Sequence, residues 1–466
     1  MIVEQEAQDV QNIPEFFAFC KFVSLKNILL RCCKFKAQGF SIFDIFQVLF
    51  WAVFKFRNLW RLSVSDNSPI PFARDTAYRF LNSPYHRWRE FLAHIAKRAV
   101  IFISTLTSDD KRKVFVVDDS VYNKNRSKKV ELLSRVFDYV EEKYVKGFRF
   151  LTIAFTDGIS LIPIDFALLG TKNRICEASP DIDKRSSGYK RRLEAVTDAL
   201  SVLLSMIDNA RALIRDGSYI VFDSWFCVPS LIREIVKRGL HVTGRLKNDA
   251  THFLFRRDGK DRLLNLEQLF AKLAKIPAAV RKRQQQTPDI LGSLRVCLPS
   301  VEGCKALAVK IVFVKNKSSS NAKAWLAILT TDLELSEEEI VRMYAKRWKI
   351  EEFFKVAKSL LKLEQEFQGR SYDMLISHAT LVCTRYIFLE LERRRNVDIR
   401  TCGELFWHCC EEIADLKLKE ALTVIFEALE SFLVRFSSQS QDCLKDFIAS
   451  LPAPILRLLP TPVCLC

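Results

Sequence analysis

The 14 cysteines of this 466-residue chain include no Cys-x-x-Cys with a matching second pair. The adjacent pairs Cys32-Cys33 and Cys409-Cys410 suit neither tetrahedral zinc spacing nor an ordinary bridge, and they read as reduced thiols of a cytosolic chain. The six histidines, His408 of WHCC among them, form no zinc or nuclease set by spacing. Glycine and proline are scarce, at 13 and 14 residues, which excludes collagen-like and low-complexity architectures. A spanning helix needs ~20 apolar residues. The most apolar stretch, 40–56, is interrupted by Asp44, Gln47 and Lys55, so a core helix is expected there. The first nine residues carry Glu4, Glu6 and Asp9 instead of a basic n-region and an apolar h-region, so a cytoplasmic protein without a membrane partner is expected. There is no internal repeat.

What the chain does have is bulk and positive charge. With 49% hydrophobic and 11% aromatic residues it can bury sizeable cores, and its length suits two to four domains. Lys and Arg total 72 against 55 Asp and Glu, a net charge of +17. A polyanion is the natural partner, nucleic acid first and an acidic membrane surface second. Many basic proteins bind no nucleic acid, so charge alone leaves the reading even.

Residues 1–110 have helical periodicity, with Ser41 as a cap before IFDIFQVLFWAVFKF and a break at NSPIPF. Asp75 or Thr76 is expected to cap a short helix carrying Tyr78 and Arg79, and Pro84 to start an element with Arg87, Trp88 and Arg89. Such helices suit a DNA-binding region as well as they suit an ordinary bundle. From 112 the texture becomes strand-like in VFVVDD, FRFLTIAFTDG and ISLIPIDFALLG. A helical stretch (KRRLEAVTDALSVLLSMIDNARALI), strand SYIVFD, helix VPSLIREIVKRGL and strand HVTGRL follow, which together read as a mixed α/β core. Between about 250 and 333, LRVCLPS, ALAVKIVFV and AWLAILTTD read as an inserted β subdomain with a polar link at KNKSSSNAK. Residues 334–362 read as one long amphipathic helix, and the remainder as helical with a Pro-containing tail.

Metal-dependent phosphodiester chemistry needs carboxylates on rigid elements. Asp119 follows four strand-forming residues in VFVVDDS, and Asp223 closes YIVFDSWF. Asp118 points to the opposite face from Asp119, so one of the two faces a common site. A lone Asp closing a strand is more often a turn residue than a ligand. At ~100° per residue, Tyr344, Arg347, Glu351 and Lys358 fall within about a 60° arc of one helix, opposite its apolar face. A solvated stripe laced by i,i+4 ion pairs explains that pattern equally well.

The stretch YAKRWKIEEFFKVAK fits Tyr-x2-Arg-x3-Glu-x6-Lys at Tyr344, Arg347, Glu351 and Lys358, with Trp348, Glu352 and Phe353 also in keeping. This spacing resembles the signature of the Tyr-Arg-Glu-Lys group of bacterial insertion-sequence transposases, in the Asp-Asp-Glu superfamily. The resemblance covers about 110–365. It implies an α/β fold with an RNase H-like catalytic core interrupted by a β-rich insertion, flanked by helical N- and C-terminal regions. The regions would be 1–110 for terminal-repeat recognition, 111–249 and 334–365 for the core, 250–333 for the insertion, and 366–466 for a helical region with a role in dimerisation. Asp119, Asp223 and Glu351 would be the catalytic acids and hold two Mg²⁺ ions, with Mn²⁺ able to substitute. Tyr344, Arg347 and Lys358 would contact DNA phosphates, which suits bidentate arginine and point-charge lysine chemistry. Trp325 would stack on a base flipped from a hairpinned end, although a strand Trp is usually core. Lys124, Arg126, Lys128 and Lys129 are candidates to line a DNA channel or a solvated loop.

The resemblance implies a transposase that cleaves its element's terminal inverted repeats and joins the 3′-hydroxyls to target DNA. Its partners would be double-stranded DNA and a second copy of the chain, in the bacterial cytoplasm and at the nucleoid when DNA-bound. Two other readings stay open: a metal-dependent nuclease without strand transfer, and an inactive or repurposed DNA-binding relative.

Overall fold

Among the described residues, eleven strands form one mixed sheet with helices packed against it. The computed structural model describes residues 14–33, 39–55, 71–108, 112–171, 174–257, 260–273, 289–301, 305–316, 324–367, 369–395 and 400–411, with the isolated positions 422 and 429. The centre is β1 (Val114–Asn123), antiparallel to β3 (Lys143–Thr156) on one side and parallel to β5 (Tyr219–Phe222) on the other. β3 also pairs with β2 (Ser134–Asp138) and β4 (Leu161–Leu169), and β5 runs parallel to β6 (His241–Arg245). The order β4-β3-β1-β5-β6, three antiparallel strands followed by two parallel ones, is the RNase H-like arrangement. β4 is buried along its whole length, as expected of a strand covered on both faces.

The strand-rich segment that follows is not set apart from this core. β11 (Trp325–Thr330) pairs antiparallel with β6 through Ile328 opposite Arg245. Next come β10 (Leu307–Lys315), β9 (Ile290–Leu298), β7 (Phe253–Arg257) and β8 (Lys260–Leu264), so the segment extends the same sheet.

The N-terminal helices are α1 (Pro14–Val23), α2 (Leu25–Cys32), α3 (Ile42–Trp51), α4 (Arg74–Leu81) and α5 (Trp88–Thr105). Ser41 caps α3 as its sequence suggests, its Oγ accepting from the Asp44 amide at 3.1 Å. The cap expected at Asp75 or Thr76 is not formed: α4 already starts at Arg74, with Ala73 at the cap position and no side-chain bond. Pro84 lies in a turn, and α5 begins at Trp88. Trp88 is buried, and Arg89 reaches Asp165 Oδ1 and Oδ2 at 2.5 and 2.6 Å and also binds Glu194. Arg89 therefore fastens α5 to β4, and Trp88 packs on Phe80 of α4 and on Phe91; neither is free to meet DNA.

The core contains α6 (Ser187–Ala195), α7 (Ala199–Leu213), α8 (Pro229–Lys237) and α9 (Leu266–Leu273). The single helix expected over 334–362 is two, α10 (Glu337–Ala345) and α11 (Trp348–Ser359). Between them, Lys346 and Arg347 make i→i−3 bonds to Met343 and Tyr344, the tighter 3₁₀ pattern. α12 (Tyr372–Arg395) is long and apolar enough to cross a membrane by composition, but it is buried inside the fold. Its Arg385 forms a buried pair with Glu366 at 2.5 and 2.8 Å. Residues 402–411 are helical. The break before Pro71, most of the polar link and, apart from positions 422 and 429, the helical reading beyond 411 lie outside the described residues.

Arg89→Ala would leave Asp165 and Glu194 without their shared partner. The expected loss of unfolding free energy is about 3–5 kcal/mol, read by guanidinium denaturation. A loss under ~1 kcal/mol would make it no stronger than a surface ion pair.

Candidate active site

The acids gather where β1 and β5 part. Their parallel pairing runs from Val114 opposite Tyr219 to Val117 opposite Phe222, so the next residues on the two strands are Asp118 and Asp223. β5 stops because Asp223 turns the chain, its Oδ1 accepting from the Trp225 amide at 2.9 Å, as Asp commonly does in turns. β1 continues, paired with β3 from Asp118 opposite Thr152 to Asn123 opposite Gly147. A carboxylate in the middle of a paired strand is held rigidly.

Arg347, at the start of α11, joins the third acid to the first. Its Nη1 donates to Asp118 Oδ2 at 2.9 Å and its Nη2 to Glu351 Oε1 at 2.6 Å. Its buried Nε has no hydrogen-bond partner. The Tyr344 and Trp348 rings lie 5.9 and 5.3 Å from the guanidinium. Burial pushes the Asp118 carboxyl up to about 7; Arg347 opposes that push, and Asp223 and Asp119 add to it. Burial works against the Arg347 charge, yet Tyr344, Asp118 and Glu351 together hold its pKa above the ordinary arginine value. The Tyr344 phenol is raised by burial and, to a smaller extent, by Asp223.

Asp119 does not join this group. Side chains alternate along a strand, and its Oδ2 accepts from Arg149 Nε at 2.8 Å while that guanidinium covers the Trp225 ring at 4.0 Å. Of the adjacent pair, Asp118 is the aspartate that shares Arg347 with Glu351, and the expected first acid, Asp119, is held by Arg149 instead. Alternation along the strand says that the two point to opposite faces but not which face meets α11, so the sequence left the pair open. Arg245 is a second residue that the sequence did not single out: its Nη2 donates to Ser224 Oγ at 3.3 Å, and its charge reaches Tyr344.

Lys358 makes an ion pair with Glu364 at 3.4 Å at the far end of α11. Lys124 Nζ donates to the Glu364 carbonyl at 2.7 Å and lies 5.1 Å from the centre of the Tyr122 ring. With Arg126, Lys128 and Lys129 it lines a cleft of about 1190 Å³, to which Lys143 and Arg370 also contribute. Trp325 is elsewhere, on β11, packed against Phe270 and Phe313 at centroid distances of 5.0 and 5.2 Å. β11 lies three strands from β1, and the Trp325 ring is half-buried against the edge of the core.

Two family models match the chain. One, described as DDE superfamily endonuclease, matches residues 62–260, and the other, described as transposase DDE domain, matches residues 195–387. The chain belongs to the DDE superfamily. The first match spans Asp118 and Asp223, and the second spans Asp223, Tyr344, Arg347, Glu351 and Lys358. A search of curated proteins finds no match.

DDE domains act with divalent metals, and the donors here fit one. Carboxylate oxygens suit a hard cation. Among the described residues the three acids are not drawn to within 4.8 Å of one another, and the Arg347 guanidinium stands between Asp118 and Glu351. A positive charge already occupies that gap, and a bound cation would reverse the upward push on Asp118. Asp118→Asn is expected to weaken Mn²⁺ binding by more than ~10-fold in calorimetry, and Asp119→Asn to leave it within a few-fold. The opposite ranking would return the role to Asp119.

Proposed function

We propose that this DDE-superfamily chain is the transposase of an insertion sequence. It binds the element's terminal inverted repeats, cleaves them by metal-dependent phosphodiester hydrolysis and joins the freed 3′-hydroxyls to target DNA. The observation that carries the reading is the convergence of Asp118, Asp223 and Glu351 from a central strand, a strand end and a helix. Asp118, Asp223 and Glu351 would hold magnesium, with manganese able to replace it. A pair of such metals, when bound, activates the attacking oxygen and stabilises the leaving one.

The chain's own residues then position DNA. Arg347 binds two carboxylates through its terminal nitrogens, and its planar fork is the kind that binds phosphate oxygens when those carboxylates turn to metal. Tyr344 borders the same guanidinium, and Lys358 is a point charge further along α11. The cleft lined by Lys124, Arg126, Lys128 and Lys129 has the charge to follow a phosphate backbone. The Tyr-x2-Arg-x3-Glu-x6-Lys spacing supports membership of the hairpin-forming group and action as a dimer on DNA. Trp325 would stack on a flipped base with the part of its half-buried ring that Phe270 and Phe313 leave uncovered.

Glu351→Gln is expected to abolish Mg²⁺-dependent cleavage of DNA carrying the element's ends, by about 10³-fold or more, with end binding kept. Loss of binding as well would make the glutamate structural. Wild-type protein should also yield target-joined products; cleavage without them would favour a nuclease. Replacing both Lys128 and Lys129 by Gln should reduce the slope of log K against log salt by about 2, if each contacts a phosphate.

A further inference from the structure

The fold builds a second cluster of ligand-type side chains that linear spacing conceals. Cys32 is the last residue of α2, and Glu90 and His94 lie one turn apart on α5. One ligand atom from each lies within 4.8 Å of the others, and among the described residues this is the group of Cys, His, Asp and Glu side chains that closes so tightly. We propose that Cys32, Glu90 and His94 form a zinc site that joins α2 to α5, separate from the acid cluster and independent of the transposase reading.

The surroundings fix these side chains. The Arg87 amide donates to the Cys32 carbonyl at 2.8 Å, and the Arg87 guanidinium binds the Arg31 carbonyl, so the end of α2 is tied to the start of α5. Arg87 Nη1 also donates to Glu90 Oε2 at 2.7 Å. That leaves Oε1 on the His94 side, 3.6 Å from Nε2. Ligating carboxylates are commonly oriented in this way by an outer partner. Arg31 Nε, 4.0 Å from Oε1, is the other charge beside the site.

Thiolate and imidazole select zinc over magnesium, and three protein ligands with a water in the fourth position are a common zinc arrangement. Cys32 is buried, whereas the His94 and Glu90 side chains are 20% and 34% exposed, so an ion can enter from their side. Binding releases the thiol proton to solvent and leaves sulfur as the anionic ligand.

The test uses the full chain, stripped with chelator, reconstituted with zinc and desalted, with metal content measured by mass spectrometry. Equimolar zinc is expected in the wild type and in Glu351→Gln, which alters only the acid cluster. Cys32→Ser and His94→Ala should each lose the zinc. Cobalt substitution should give a sulfur-to-cobalt charge-transfer band that both variants lack. If Cys32→Ser fails to fold, His94→Ala decides, because its side chain is partly exposed. Wild type without zinc, zinc retained by a folded variant, or cobalt without the charge-transfer band would each overturn the site.

Discussion

Parallel pairing between β1 and β5 stops at Val117 and Phe222, and the candidate active site depends on that stop. Both strands point the same way, so their next side chains, Asp118 and Asp223, emerge side by side at the carboxyl end of the pair. Ligand sites in sheets of this kind form at such ends. β5 is free to turn there because Asp223 accepts the Trp225 amide. β1 is kept straight by β3, which pairs with it through to Asn123. One strand thus offers a rigid carboxylate and the other a carboxylate at a turn. Arg347 binds Asp118 and Glu351 at once, which sets the position of α11 over the sheet.

The interior charges show why net charge alone is a poor guide to a binding surface. Arg89 is held by Asp165 and Glu194, Arg192 by Glu131 and Asp373, and Arg385 by Glu366. The Arg89 and Arg192 pairs join segments distant in sequence, and breaking any of the three would strand a buried charge. These arginines serve the fold. Lys124, Arg126, Lys128 and Lys129, by contrast, line an open cleft beside Asn123.

Strands β1, β3, β4, β5 and β6 could be read from their apolar runs, and the Ser41 cap from its place before one. The hairpin of β7 and β8 could not, because Phe253–Arg257 and Lys260–Leu264 are rich in charge and lack the alternation of a half-buried strand. Continuity of the later strands with the core also escaped, because a pairing such as Ile328 with Arg245 leaves no local mark. Tyr344, Arg347, Glu351 and Lys358 stood out by spacing, but helical periodicity assumed one uninterrupted helix. The 3₁₀ turn at Lys346 and Arg347 breaks that assumption. Asp118 was legible only as one of an adjacent pair; choosing between the two needed the partner strand and Arg149.

The most direct measurement is the anomalous difference density of Mn²⁺ in crystals of the full chain. The account predicts a peak shared by Asp118, Asp223 and Glu351, with Asp119 still bound to Arg149. A peak on Asp119, or none touching Asp223 and Glu351, would contradict it.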